Sequence, residues 1–181
     1  MLGTPSRSLS PLASGSSLSR ARAESLLLGL ATVVTGLMAG FFFAYACSVM
    51  VGLARTQDRT FIEAMQWINA TVRNAAFGPT FFGALVLTVA AALVTVVRRH
   101  PARRWVVAAA VLYAGAFLVT MAFAVPLNDQ LAAAGPAGSL PDPAAVRQAY
   151  EGPWVTWNLV RTALNTAALA ALVTALLRHR R

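Results

Sequence analysis

Residues 154–177, WVTWNLVRTALNTAALAALVTALL, decide the fold, because they read as one membrane-crossing helix carrying a single charge, Arg161. A helix rising about 1.5 Å per residue over this length spans the roughly 30 Å apolar layer of a bilayer. Pro153 stands just before it and is expected to open the helix, where a missing N–H costs nothing. Arg161 then falls roughly 10 Å beyond Trp154, below the interfacial depth that tryptophan prefers. A permanent cation there faces the bundle interior or a wet cavity, and marks a candidate functional site. Trp154, Asn158, Arg161 and Asn165 follow i, i+4, i+7, i+11 and share one stripe, flanked by Trp157 and Thr162. Val155, Leu159, Val160, Ala163 and Ala167 take the other side. The bland alternative is that Arg161 snorkels to the head groups while the asparagines only glue helices together.

Composition agrees with a membrane protein: 57% of the 181 residues are hydrophobic and only 12% charged, with a mean hydropathy of +0.62. The lipid bilayer is therefore the first partner. The net charge of +9 comes from 15 arginines and no lysine. These cluster just beyond the ends of apolar runs, where they fix topology, and no nucleic-acid partner is needed to explain them. Cys47 is the only cysteine, which excludes an internal disulfide.

Residues 1–24, rich in Ser, Gly, Pro and Leu, read as a disordered cytoplasmic tail. The membrane domain is 25–177, with spans at about 25–54, 77–97, 105–125 and 154–177, and residues 178–181 form a basic cytoplasmic tail. In the first span Gly36, Gly40, Ala44, Ser48 and Gly52 recur every four residues, a strip on which another helix or a second copy can pack closely. From Thr60 onward Phe61, Met65, Ile68 and Val72 keep a helical period, which predicts a short amphipathic helix at the interface. Residues 98–104 form a tight basic turn, Pro126 ends the third span, and 131–152 is a loop with a short helix from Ala144 to Tyr150. The fold class is all-α: an antiparallel four-helix transmembrane bundle with the amphipathic helix in the first outer loop.

The amino tail, the 98–104 turn and the carboxyl tail hold 3, 4 and 3 arginines, while the other two loops hold five of the six carboxylates. Both termini are therefore expected on the cytoplasmic side of the plasma membrane. That topology brings Asn69, Asn74, Asn128, Asp129, Trp154, Trp157, Asn158 and Arg161 to one outer face, where a polar pocket should open between helix ends. Asparagines supply donors and acceptors, the guanidinium a fixed fork of donors, and tryptophans flat apolar walls. The combination suits a flat, lipophilic aromatic molecule bearing oxygens. For Asn128, turn chemistry after Pro126 explains the residue equally well. His100 and His179 lie apart in basic segments, so a His/Cys metal site is not expected. Neither a phosphate-cradling Gly-rich loop nor a GxSxG elbow is present.

The sequence resembles the anthrone oxygenase family of short four-span membrane proteins. The resemblance rests on Gly36-Leu-Met-Ala-Gly40 and the aromatics after it, Met65-Gln-Trp-Ile-Asn69 with Asn74, Val125-Pro-Leu-Asn128-Asp129, and Trp154-Val-Thr-Trp157-Asn158-Leu-Val-Arg161-Thr162. Ala124 and Val51 stand where that family often has asparagine and proline, departures that bear on the substrate more than the fold. The resemblance implies cofactor-independent oxidation of an anthrone-like polycyclic phenol by molecular oxygen. In that scheme Arg161 stabilises the developing oxyanion, Asn158, Asn128, Asn69 and Asn74 orient the oxygens, and Asp129 is the best-placed carboxylate to take the proton. Asn69, Asn74, Trp154, Trp157, Thr162 and Asn165 form the substrate-binding set. The rival reading is a non-catalytic membrane protein holding a lipid, quinone or partner helix in the same pocket. A transporter ranks last, because the second and third spans carry no ionisable side chain except Tyr113.

Overall fold

The structure is a computed structural model that describes residues 12–179. Helix α1 (Leu12–Ala44) runs through a π turn (Tyr45–Val49) into the short α2 (Met50–Leu53), and α3 (Asp58–Thr71) follows. Helix α4 (Phe77–Val97) leads to α5 (Arg103–Val119), which passes through a second π turn (Thr120–Ala124) into α6 (Val125–Ala133). After a 3₁₀ turn (Ala137–Ser139), α7 (Pro143–His179) completes the described chain. Four stretches are long and apolar enough to cross a membrane: Ala21–Leu53, Phe77–Val97, Arg103–Ala133 and Pro143–Arg178. They pack α1 on α4, α4 on α5, α5 on α7 and α7 back on α1, the ring of an antiparallel four-helix bundle.

Three boundaries differ from expectation. Helix α1 begins at Leu12, so residues 12–24 of the tail expected to be disordered are helical; residues 1–11 lie outside the described residues. Ala21, Ala23 and Glu24 are good helix formers, and Glu24 pairs with Arg98 of the basic turn. Pro126 does not end the third span, because the π turn resets the helical register just ahead of it and leaves its ring in the first turn of α6. Pro153 does not open the fourth span but lies inside α7. The helix starts ten residues earlier, at Pro143, where Asp142 Oδ1 accepts the Ala145 N–H at 3.0 Å. Interior Pro153 is tolerated because it is exposed, as is Ala149, whose carbonyl it leaves without an N–H partner.

The two ends of the bundle are built differently. At the basic turn, Arg99 adopts a left-handed φ of 52°. The Arg99 N–H bonds Val96 O at 3.0 Å and the His100 N–H bonds Thr95 O at 2.9 Å, a Schellman close to α4 with Pro101 after it. The core above this turn is mostly alanine, Ala91, Ala109, Ala171 and Ala175 with Leu28 and Leu172, so the helices approach closely. At the opposite end, α3 is the amphipathic helix expected from the periodicity. It buries Phe61, Ile62 and Met65 against Leu131, Tyr150 and Trp154.

Arg147 clamps that end, donating to Thr56 O (2.8 Å) and Ala54 O (3.0 Å) and pairing with Asp58 (3.0 Å) and Glu151 (2.6 Å). Arg59 ties α3 to the far loop through the carbonyls of Ala137 and Leu140. Of the small-residue strip, Gly36 faces Leu169, whereas Gly40, Ala44, Ser48 and Gly52 are exposed on the outside of α1 and its continuation.

Candidate functional site

Under α3 the four spans part around a cavity of about 390 Å³. Its position follows from residue size: where alanines line the other end, Phe41, Phe42, Tyr45, Phe77 and Phe81 stand here. Phe77 stacks on Phe81 (centroids 5.5 Å, 12°) and Phe81 on Phe117 (5.0 Å, 18°). Tyr113 fixes this wall by donating to Phe81 O at 2.8 Å. Both π turns border the cavity, through Tyr45 in the first and Thr120, Met121 and Ala124 in the second. A π turn widens the helix locally and re-aims its side chains, a recurring device beside functional sites. The lining has an apolar margin at Phe82 and Met121, 53% and 39% exposed on spanning helices, and a polar margin at Arg73 and Asn74.

The stripe on α7 is as the periodicity required: Trp154, Asn158, Arg161 and Asn165 are all buried, and Leu159 on the other side is exposed. Arg161 retains 5% of its surface. Its Nη2 donates to Asn158 Oδ1 at 3.1 Å, and Asn158 Nδ2 donates in turn to Phe42 O at 3.1 Å. The guanidinium carbon lies 4.5 Å from the Phe42 ring centre and 5.2 Å from that of Trp154. Arg161 Nε has no hydrogen-bond partner, and no carboxylate pairs with Arg161 among the described residues. The magnitudes leave this cation undersupplied. Burying an ion costs several kcal/mol, and a desolvated ring contact returns only about 2 kcal/mol. An electron-rich oxygen delivered to this fork therefore gains more than it would in water.

Six of the sequence-selected residues line the cavity: Asn69, Asn74, Asn128, Trp154, Asn158 and Arg161. The other four do not. Asp129 projects to the surface, 59% exposed, and pairs with Arg73 at 2.8 Å. Trp157 stacks on Phe123 at 3.8 Å. Thr162 donates its hydroxyl to Asn158 O, and Asn165 donates to Arg161 O, both at 2.8 Å, so these two brace the helix behind the site. Asn74 touches the cavity as a structural residue: its Oδ1 accepts the N–H groups of Ala76 and Phe77 (2.9 and 3.0 Å), satisfying donors at the start of α4. Sequence reasoning missed Tyr150, which accepts from Asn69 Nδ2 (3.0 Å) and donates to Asn128 Oδ1 (2.9 Å). It also missed the aromatic wall, whose one signal was the run Phe41-Phe42-Phe43-Ala44-Tyr45.

No group of three or more His, Cys, Asp or Glu side chains among the described residues could hold a metal ion. Fold and site together define a multi-pass membrane protein with an aromatic-walled cavity around one buried, unpaired guanidinium. The profile of the anthrone oxygenase family matches residues 67–171, more than half of the chain, and the chain belongs to that family. No curated protein and no solved structure matches it.

Proposed function

We propose that the cavity binds a lipophilic, flat aromatic carrying phenol and carbonyl oxygens and oxidises its activated CH₂ with molecular oxygen, as the family name suggests. Loss of a proton from the CH₂ leaves an enolate, whose electrons pass to dioxygen as a C–O bond forms. The resulting hydroperoxide loses water to leave the carbonyl, so that R₂CH₂ and O₂ become R₂C=O and H₂O. Arg161 carries the reading: a dry, preoriented fork of donors with no carboxylate partner lowers the cost of placing negative charge on a ligand oxygen. The ionised carbon acid is the species it favours.

One observation supports a second reading. No Asp, Glu or His stands among the lining residues, so the proton must leave to solvent or to a group outside the cavity wall. A protein that only binds a phenolate or quinone in this site needs no such acceptor. Dioxygen uptake by the purified protein with an anthrone separates the two. Uptake well above the spontaneous rate, with formation of the anthraquinone, supports the oxygenase; saturable quinone binding without uptake supports the binder. For topology we propose both termini on the cytoplasmic face of the plasma membrane, which the arginine distribution favours.

A further inference from the structure

The four asparagines at the cavity fall into two kinds. Asn158 spends both ends of its amide on Phe42 O and Arg161, and Asn74 spends its own on backbone groups. Asn128 and Asn69 each keep one polar atom unused, and the structure fixes which one. An indole N–H only donates. Trp154 Nε1 lies 3.0 Å from one end of the Asn128 amide, so that end is the oxygen. The Tyr150 hydroxyl reaches the same Oδ1 at 2.9 Å and must give it its only proton. What Tyr150 then offers Asn69, 3.0 Å away, is a lone pair, so Asn69 must approach through Nδ2. Amide ends are told apart by such networks, and here one unambiguous donor decides the whole chain. Among the described residues, no hydrogen bond uses Asn128 Nδ2 or Asn69 Oδ1.

We infer that Trp154 and Tyr150 are positioning residues that set the hydrogen-bonding sense of the cavity wall, making Asn128 a donor and its neighbour Asn69 an acceptor toward the ligand. The inference rests on reading the cavity as a ligand site, and not on turnover there. The wall then selects a planar molecule with an acceptor oxygen and a hydroxyl, and discriminates against one lacking either group. An amide end stripped of water by the ligand and left without a partner costs enough to weaken binding by about tenfold.

The test uses three flat probes, 3-hydroxyfluoren-9-one, 3-methoxyfluoren-9-one, whose ether oxygen only accepts, and 3-hydroxyfluorene, in equilibrium dialysis against the full chain in lipid nanodiscs. The wild type should hold the hydroxyketone about tenfold more tightly than either analogue. Tyr150→Phe keeps the ring in its core but frees the Asn69 amide to turn over and meet the ether with its N–H, so the preference for the hydroxyl over the ether should fall to within about twofold of unity. The preference for the carbonyl should survive in Tyr150→Phe, where Trp154 still holds Asn128 Oδ1. Absent saturable binding of the hydroxyketone, equal binding of all three probes by the wild type, or an unchanged hydroxyl preference in Tyr150→Phe each overturns the inference. The wild-type ratios stand as a test even if a variant does not fold. Probe discrimination without anthrone-dependent dioxygen uptake removes the oxygenase reading alone; uptake without discrimination removes this inference alone.

Discussion

The same four helices make a dense alanine-lined core near the basic turn and an open aromatic chamber under α3, and the contrast shows how one bundle separates stability from chemistry. Near the turn, Ala109 and Ala175 are fully buried and the spans close on one another with little side chain between them. At the other end the rings of Phe41, Phe77 and Phe81 hold the spans apart, and each of the two broken helices changes register there through a π turn. Small residues exclude everything but neighbouring helices. Large flat residues that cannot interlock perfectly leave room for a flat guest.

The strongest challenge to this division is Arg161→Met. It should lower kcat/KM or ligand affinity by at least about 100-fold, the scale of removing one preorganised oxyanion donor. Thermal stability in detergent should not fall, because the variant replaces an undersupplied buried cation with an apolar chain of similar reach. Retained activity would remove the guanidinium from the mechanism. A smaller effect of opposite kind is expected from Ala109→Leu, which adds bulk where no space exists. It should cost about 1–3 kcal/mol of stability, read as a drop in denaturation midpoint, with ligand affinity unchanged; a loss of affinity would mean that the two ends are not separable. The mildest change is Arg99→Gly. Relieving a non-glycine residue from left-handed φ should stabilise by about 1 kcal/mol, and thermal denaturation would show whether the Schellman close contributes to the dense end.

Much of the architecture could be read from residues alone. The spans follow from apolar run length, and the buried stripe on α7 from a repeat of 3.6. The meeting of Asn69, Asn128 and Arg161 followed from antiparallel topology, although they lie far apart in the chain. What escaped had physical causes. Asp129 follows Asn128 by one residue, and neighbours on a helix point about 100° apart, so one faces the cavity and the other the surface. The same rotation carries Trp157 away from Asn158 and onto Phe123. The sequence places Tyr150 in a loop helix because Pro153 resembles a helix opener, whereas α7 starts earlier, at the Asp142 cap. The π turns shift register without leaving a composition signal, so the sides on which Tyr45 and Met121 emerge could not be counted forward from the preceding turns.

The interior proline of α7 sits between Tyr150 and Trp154, and both of those side chains close on a single oxygen of Asn128 from the neighbouring α6. A rod weakened at one point is thus splinted from outside by one atom that grips it above and below the weak point. Because both grips fall on the oxygen, the other end of that amide stays open to the chamber while the splint remains in place.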